Sequence, residues 1–149
     1  MPNRPSGILD VFEAEVDDLL AAFDVEKPPV PVELILQRPR LGMWREVNLG
    51  DLSLSFITVT DPFSPRMAVA RLLARYMCGS RWGETHGLRR YADSDDEVRA
   101  LARAVIMPRG MIVALGVEQH TPLDISARFE VPEADARQRL LDLGYLQSG

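Results

Sequence analysis

Ser64-Pro65-Arg66-Met67-Ala68-Val69-Ala70-Arg71-Leu72-Leu73-Ala74-Arg75-Tyr76-Met77-Cys78 has the start signal and the apolar spacing of a helix. Ser64 is a good cap, and Pro65 suits the first helical position, where its missing N–H costs nothing and its fixed φ is already helical. The spacing predicts a helix to about Cys78, with Met67, Leu72, Leu73, Tyr76 and Met77 among its apolar residues. Arg71 and Arg75 stand four apart, so both side chains leave one face, a turn from each other. Cys78 is the single cysteine, which excludes an intrachain disulfide; on an apolar helix it reads as a buried structural thiol.

Working upstream, Met43 to Leu49 and Leu52 to Val59 alternate or cluster β-favouring residues around Asn48-Leu49-Gly50-Asp51, which reads as a β-hairpin or two neighbouring strands. Asp61-Pro62-Phe63 closes the second strand. Lys27-Pro28-Pro29-Val30-Pro31 is a stiff extended linker, because proline fixes its own φ and restricts its predecessor. A short helix, Val32 to Gln37, follows it, and Pro39 ends that helix. Residues 8–25 form an amphipathic helix: Ile8, Leu9, Phe12, Val16, Leu19, Leu20 and Phe23 recur at helical spacing, with Glu13, Glu15, Asp17 and Asp18 as the solvated face.

Downstream, Gly79 to Tyr91 reads as a loop carrying Trp82 and His86. Ser94-Asp95-Asp96-Glu97 is a capping box that opens a helix with Val98, Leu101, Ala102, Val105 and Ile106 on its buried stripe. Pro108 and Gly110 break it, and Met111 to Leu115 continue as a further helical segment. Thr121-Pro122 starts a helix that ends near Phe129. Pro132 starts the last helix, which runs to Leu143 and stops at Gly144. Trp44 and Trp82 read as packing residues.

The chain has 149 residues, enough for one domain with a single core, and its 46% hydrophobic and 26% charged content is ordinary for a globular protein. The expected class is α+β, mainly helical, with the small hairpin packed on the 64–78 helix and on the C-terminal helices. The net charge of -5 argues against a dedicated nucleic-acid surface, which needs a concentrated basic footprint. No stretch approaches the length of a membrane span, and Met1 to Gly7 lacks the apolar core of a signal peptide, so the expected location is the cytoplasm.

The order of these pieces resembles the ImmA/IrrE family of bacterial metallopeptidases over residues 29–146. Pro29-Val30-Pro31-Val32 looks like the entry segment of that family. Arg66 to Tyr76 is similar to its stretch around HExxH. Glu97 through Val105-Ile106-Met107-Pro108 looks like its second helix, with Glu97 eleven residues before Pro108. Ile125-Ser126-Ala127-Arg128-Phe129-Glu130-Val131-Pro132, with Arg139-Leu140 and Leu143-Gly144, fits its closing helices. The resemblance implies a zincin-like domain in which 1–28 is an N-terminal helix and linker, 29–116 a peptidase-like core, and 117–149 a C-terminal helical pair.

In such peptidases two histidines one turn apart and a later residue bind zinc, and the intervening glutamate activates the metal-bound water. Here Arg71, Leu72 and Arg75 stand at the first histidine, the glutamate and the second histidine. Of the implied ligands only Glu97 remains. A guanidinium has no lone pair for a metal, and leucine cannot take a proton. The resemblance therefore implies an inactive peptidase-like module without metal or cofactor, working by binding a protein, such as a helix-turn-helix repressor of the kind active relatives cleave. Glu97 has two readings: the capping-box glutamate, or the partner of Arg71 and Arg75 in an ion pair that replaces the zinc ion.

Two alternatives stand beside this one. In one, the only histidines, His86 and His120, rebuild a metal site with Glu97 and leave an active hydrolase. Leu123 to Leu143 resembles a DNA-binding helix-turn-helix, but Glu133 and Asp135 at the start of its second helix would face phosphates badly, and Arg137 and Arg139 only partly offset them. Arg89, Arg90, Arg99 and Arg103, with Arg109, add positive charge around the cleft and are the candidate partner-binding residues.

Overall fold

The computed structural model describes residues 7–46 and 61–146. Eight helices occur among them: α1 (Ile8–Ala22), α2 (Val32–Gln37), α3 (Ser64–Gly79), α4 (Arg81–Thr85), α5 (Asp95–Ile106), α6 (Arg109–Val113), α7 (Pro122–Phe129) and α8 (Glu133–Leu143). Short 3-10 turns lie at Arg89–Tyr91 and Val117–Gln119. No strand occurs among the described residues, and the architecture is mainly helical.

The expected α+β class is thereby corrected. Residues 43–46, the described start of the expected hairpin, follow a turn as irregular backbone. Met43 and Trp44 lay their side chains against the helical core, and the Trp44 indole N–H donates to the Leu36 carbonyl at 3.1 Å. β-Favouring side chains answer to packing more than to an intrinsic backbone preference, so helices can absorb an apolar cluster of this kind. The rest of the two expected strands, residues 47–59, lies outside the described residues.

α3 organises the core. Met67, Val69, Ala70, Leu73, Ala74, Met77 and Cys78 are buried on it, while Leu72 and Tyr76 are only partly covered. It packs along α5, whose stripe of Val98, Leu101, Ala102, Val105 and Ile106 is buried as the spacing requires. α2 flanks α3, α1 lies against α5, and α7 pairs with α8. Among the described residues, no helix is long and apolar enough to cross a membrane.

The helix ends follow local chemistry. The Ser94 hydroxyl accepts the Glu97 N–H at 3.3 Å and the Thr121 hydroxyl accepts the Asp124 N–H at 3.1 Å. Gly144, at φ 85, closes α8 in the left-handed region that glycine adopts at no steric cost. α1 is shorter than expected, since Phe23 and Asp24 turn out of the helix.

The expected loop over Gly79 to Tyr91 is instead α4 followed by a 3-10 turn. Ser80 supplies the overlooked cap, its hydroxyl accepting the Gly83 N–H at 3.0 Å. Gly83 lets α4 lie directly on the end of α3: a Cβ at this position would collide with the Met77 carbonyl. This close approach fixes where His86 points.

Candidate functional site

Arg71 and Arg75 emerge from one face of α3, as their spacing demands, but their carboxylates are not the expected one. Arg71 Nη2 lies 4.0 Å from Asp135 Oδ1 at the start of α8. Arg75 Nη2 donates to Asp95 Oδ1 at 3.0 Å. Glu97 pairs with neither arginine, which corrects the expected ion pair. The reason is helical phase: Asp95 and Glu97 stand two apart on α5 and face nearly opposite ways, so the side of the first turn nearest Arg75 belongs to Asp95. Glu97 is half-buried and lies near Cys78, whose thiol is pushed up to about 11, first by burial and second by the Glu97 charge. The serine half of the capping box is formed.

The arginine face is an ion-pair network that joins α3, α5 and α8. Burial holds the Asp135 carboxyl above its ordinary range; Arg71, Arg103 and Arg99 act against that shift, while Asp61 adds to it. Arg103 donates to Asp142 Oδ2 at 3.0 Å in a largely covered position, and Arg99 lies 4.0 Å from Asp95 Oδ2 in an exposed i, i+4 pair. Arg99 and Arg103 therefore share the α5 face beside Asp135. Arg89 and Arg90 stand apart on the 3-10 turn: Arg89 pairs with Glu84 at 3.3 Å, and Arg90 sits 5.8 Å over the Tyr91 ring. An open groove of ≈ 550 Å³ runs beside α3, lined by Met43, Trp44, Arg45, Tyr76 and Ser80.

The suggested His86, His120 and Glu97 trio is not assembled. His120 Nε2 bonds the Ile112 carbonyl at 2.9 Å, and its ring lies against Tyr145. His86 instead faces α1, where its Nε2 is 3.7 Å from Glu15 Oε2 and 3.9 Å from Asp18 Oδ2. Those ligand atoms all lie within 4.8 Å of one another.

Two arginines that the sequence reading did not single out for structure carry much of the polar framework. Arg139 is fully buried and pairs with Glu13 of α1 at 2.7 Å, so neither belongs to the solvated or DNA-facing surface where it was expected. Both stand at apolar-stripe spacing, Glu13 with Val16 and Leu20, and Arg139 with Ala136 and Leu143; that is the signal that could have found them. Arg66 ties three segments to the start of α3. It reaches Glu33 Oε1 at 3.1 Å and donates to the carbonyls of Val30, Phe129 and Glu130 at 3.0, 3.2 and 3.2 Å. No family model matches the chain, and neither a curated protein nor a solved structure matches it.

Proposed function

We propose that the chain is a catalytically inactive, metallopeptidase-like domain of the ImmA/IrrE type that acts by binding a protein, a helix-turn-helix repressor being the class the resemblance implies. The observation that carries this reading is the fate of the α3 face. At the positions where the family would place a histidine pair, Arg71 and Arg75 are engaged with Asp135 and Asp95, and Leu72 between them offers no base. None of these three side chains can ligate a metal or take up a proton at neutral pH. Support also comes from the order of elements: the proline entry before α2, the α3 and α5 pair, the Met107-Pro108 ending, and the closing α7 and α8.

Binding fits the remaining surface. The groove beside α3 offers the side chains of Met43, Trp44 and Tyr76 to a partner segment. The net charge of -5 complements the basic surface of a DNA-binding partner. The competing DNA-binding reading loses support because Arg139 is buried, which leaves Arg137 as the one other arginine on α8, a helix whose first turn is acidic.

The test uses the full chain and a helix-turn-helix repressor encoded beside its gene. Light scattering on the eluted mixture and gels of timed samples with added zinc are expected to give a stable complex with both chains intact. Cleavage of the repressor would refute inactivity. Absence of a complex at tens of micromolar would refute the binding role.

A further inference from the structure

Glu15 and Asp18 stand three apart on α1 and so share a face. α4 brings His86 to that face from a distant part of the sequence. The His86 Nδ1 lies 2.7 Å from the Trp82 carbonyl. A carbonyl can only accept, so Nδ1 carries the hydrogen and the lone pair of the neutral ring is on Nε2. The Trp82 ring stacks on the imidazole with centroids 4.0 Å apart and holds its plane.

Three acceptors therefore converge. Nε2 is 3.7 and 3.9 Å from the two carboxylate oxygens, too far for a hydrogen bond to either. Glu15 Oε2 is inaccessible to solvent and has no hydrogen-bond donor among the described residues. A buried carboxylate oxygen without a donor is costly, and a cation at the point of convergence would remove that cost. The three ligand atoms lie within 4.8 Å of one another, wider than the ~3.4 Å tetrahedral spacing about an ion ~2.1 Å from each, so small rotations of the Glu15 and exposed Asp18 side chains would close the site around the ion. The Trp82 carbonyl then plays the part of the outer acceptor that orients a ligating histidine.

We propose that Glu15, Asp18 and His86 form a divalent transition-metal site of the zinc class that clamps α1 to α4. The donor set selects the class: one imidazole nitrogen with two carboxylate oxygens suits zinc and its neighbours, whereas calcium and magnesium take all-oxygen shells. The fourth position is left to water. This site is separate from the arginine face of α3 and does not depend on the binding role proposed for that face.

The experiment titrates zinc chloride alone into the full chain after chelator treatment and dialysis, read by calorimetry. One zinc per chain is expected, with affinity lowered at least ~10-fold in Asp18→Asn and lost in His86→Asn. Asp18 is two-thirds exposed (65%), so its variant retains the fold. Long-range nitrogen NMR gives a second readout, in which zinc should shift the His86 Nε2 resonance and leave His120 unmoved. Binding no tighter than ~0.1 mM, or stoichiometric binding indifferent to both substitutions, would overturn the site.

Discussion

Arg139 of α8 lies 2.7 Å from Glu13 Oε2 of α1, and both side chains are shut off from solvent, at 0% and 7% exposure. Around the pair, Arg139 Nε donates to the Met107 carbonyl at 2.9 Å, and Glu13 Oε1 accepts the Arg109 backbone N–H at 3.4 Å. The first helix, the end of α5 and the last helix thus meet on one buried charge pair. Burial pushes the guanidinium pKa down and the Glu13 charge pushes it back up. Glu13→Ala, which strands Arg139, is expected to cost about 3–5 kcal/mol in denaturant unfolding. Glu13→Leu combined with Arg139→Met should recover most of that loss, because an apolar pair of similar volume leaves no uncompensated charge. A double variant as unstable as the single one would contradict this view of the pair.

Asp135 gives a prediction about pH. Burial raises its carboxyl pKa above the ordinary 3.8, and Arg71, at 4.0 Å, does not offset that burial. The native state therefore holds a proton at pH values where the unfolded chain has lost it. The stabilisation this proton brings is fully present below the ordinary carboxylate value and is lost as pH rises through the raised native one. Asp135→Asn should accordingly raise the unfolding midpoint at pH 7, and the gain should close as pH falls below about 4. A midpoint lowered at pH 7 would show that the Arg71 contact outweighs burial.

Cys78 should be chemically silent in the folded chain. Its thiol is pushed up to about 11 by burial and by Glu97, against an ordinary 9.0. The difference alone makes the reactive thiolate ~100-fold scarcer at pH 8, and burial restricts access further. Alkylation monitored by mass spectrometry should be slow in buffer and rapid in denaturant. Rapid labelling of the native chain would contradict the burial.

Much of the helical order was legible because it rests on local chemistry. Ser94, Thr121-Pro122 and Gly144 mark helix ends through capping and backbone restriction, and the structure keeps all three; Pro65 does lie in the first turn of α3, but Phe63 stands at the cap and Ser64, expected there, is already helical and caps nothing. The hairpin was misjudged where the apolar residues Met43 and Trp44 answer to neighbouring helices, a tertiary fact that no local pattern contains. The charges of Glu13 and Arg139 mask their stripe positions; oppositely charged residues on two apolar stripes are the trace their pairing leaves. Asp95 took the place expected of Glu97 for a reason of helical phase. The convergence of Glu15, Asp18 and His86 leaves no trace in the sequence, since α4 is short, lacks an apolar stripe and has no spacing that joins it to α1.

Under the proposed function, α3 corresponds to a metal-site helix whose ligands have been replaced. Arg71→His, Leu72→Glu and Arg75→His, introduced together in an His86→Asn background, would restore two histidines one turn apart on the face that already reaches the carboxylates of Asp95 and Asp135. Zinc content after dialysis measures the result. The account predicts one tightly held zinc per chain in this variant and none in the His86→Asn parent. A well-folded variant that retains no zinc beyond the parent would contradict it.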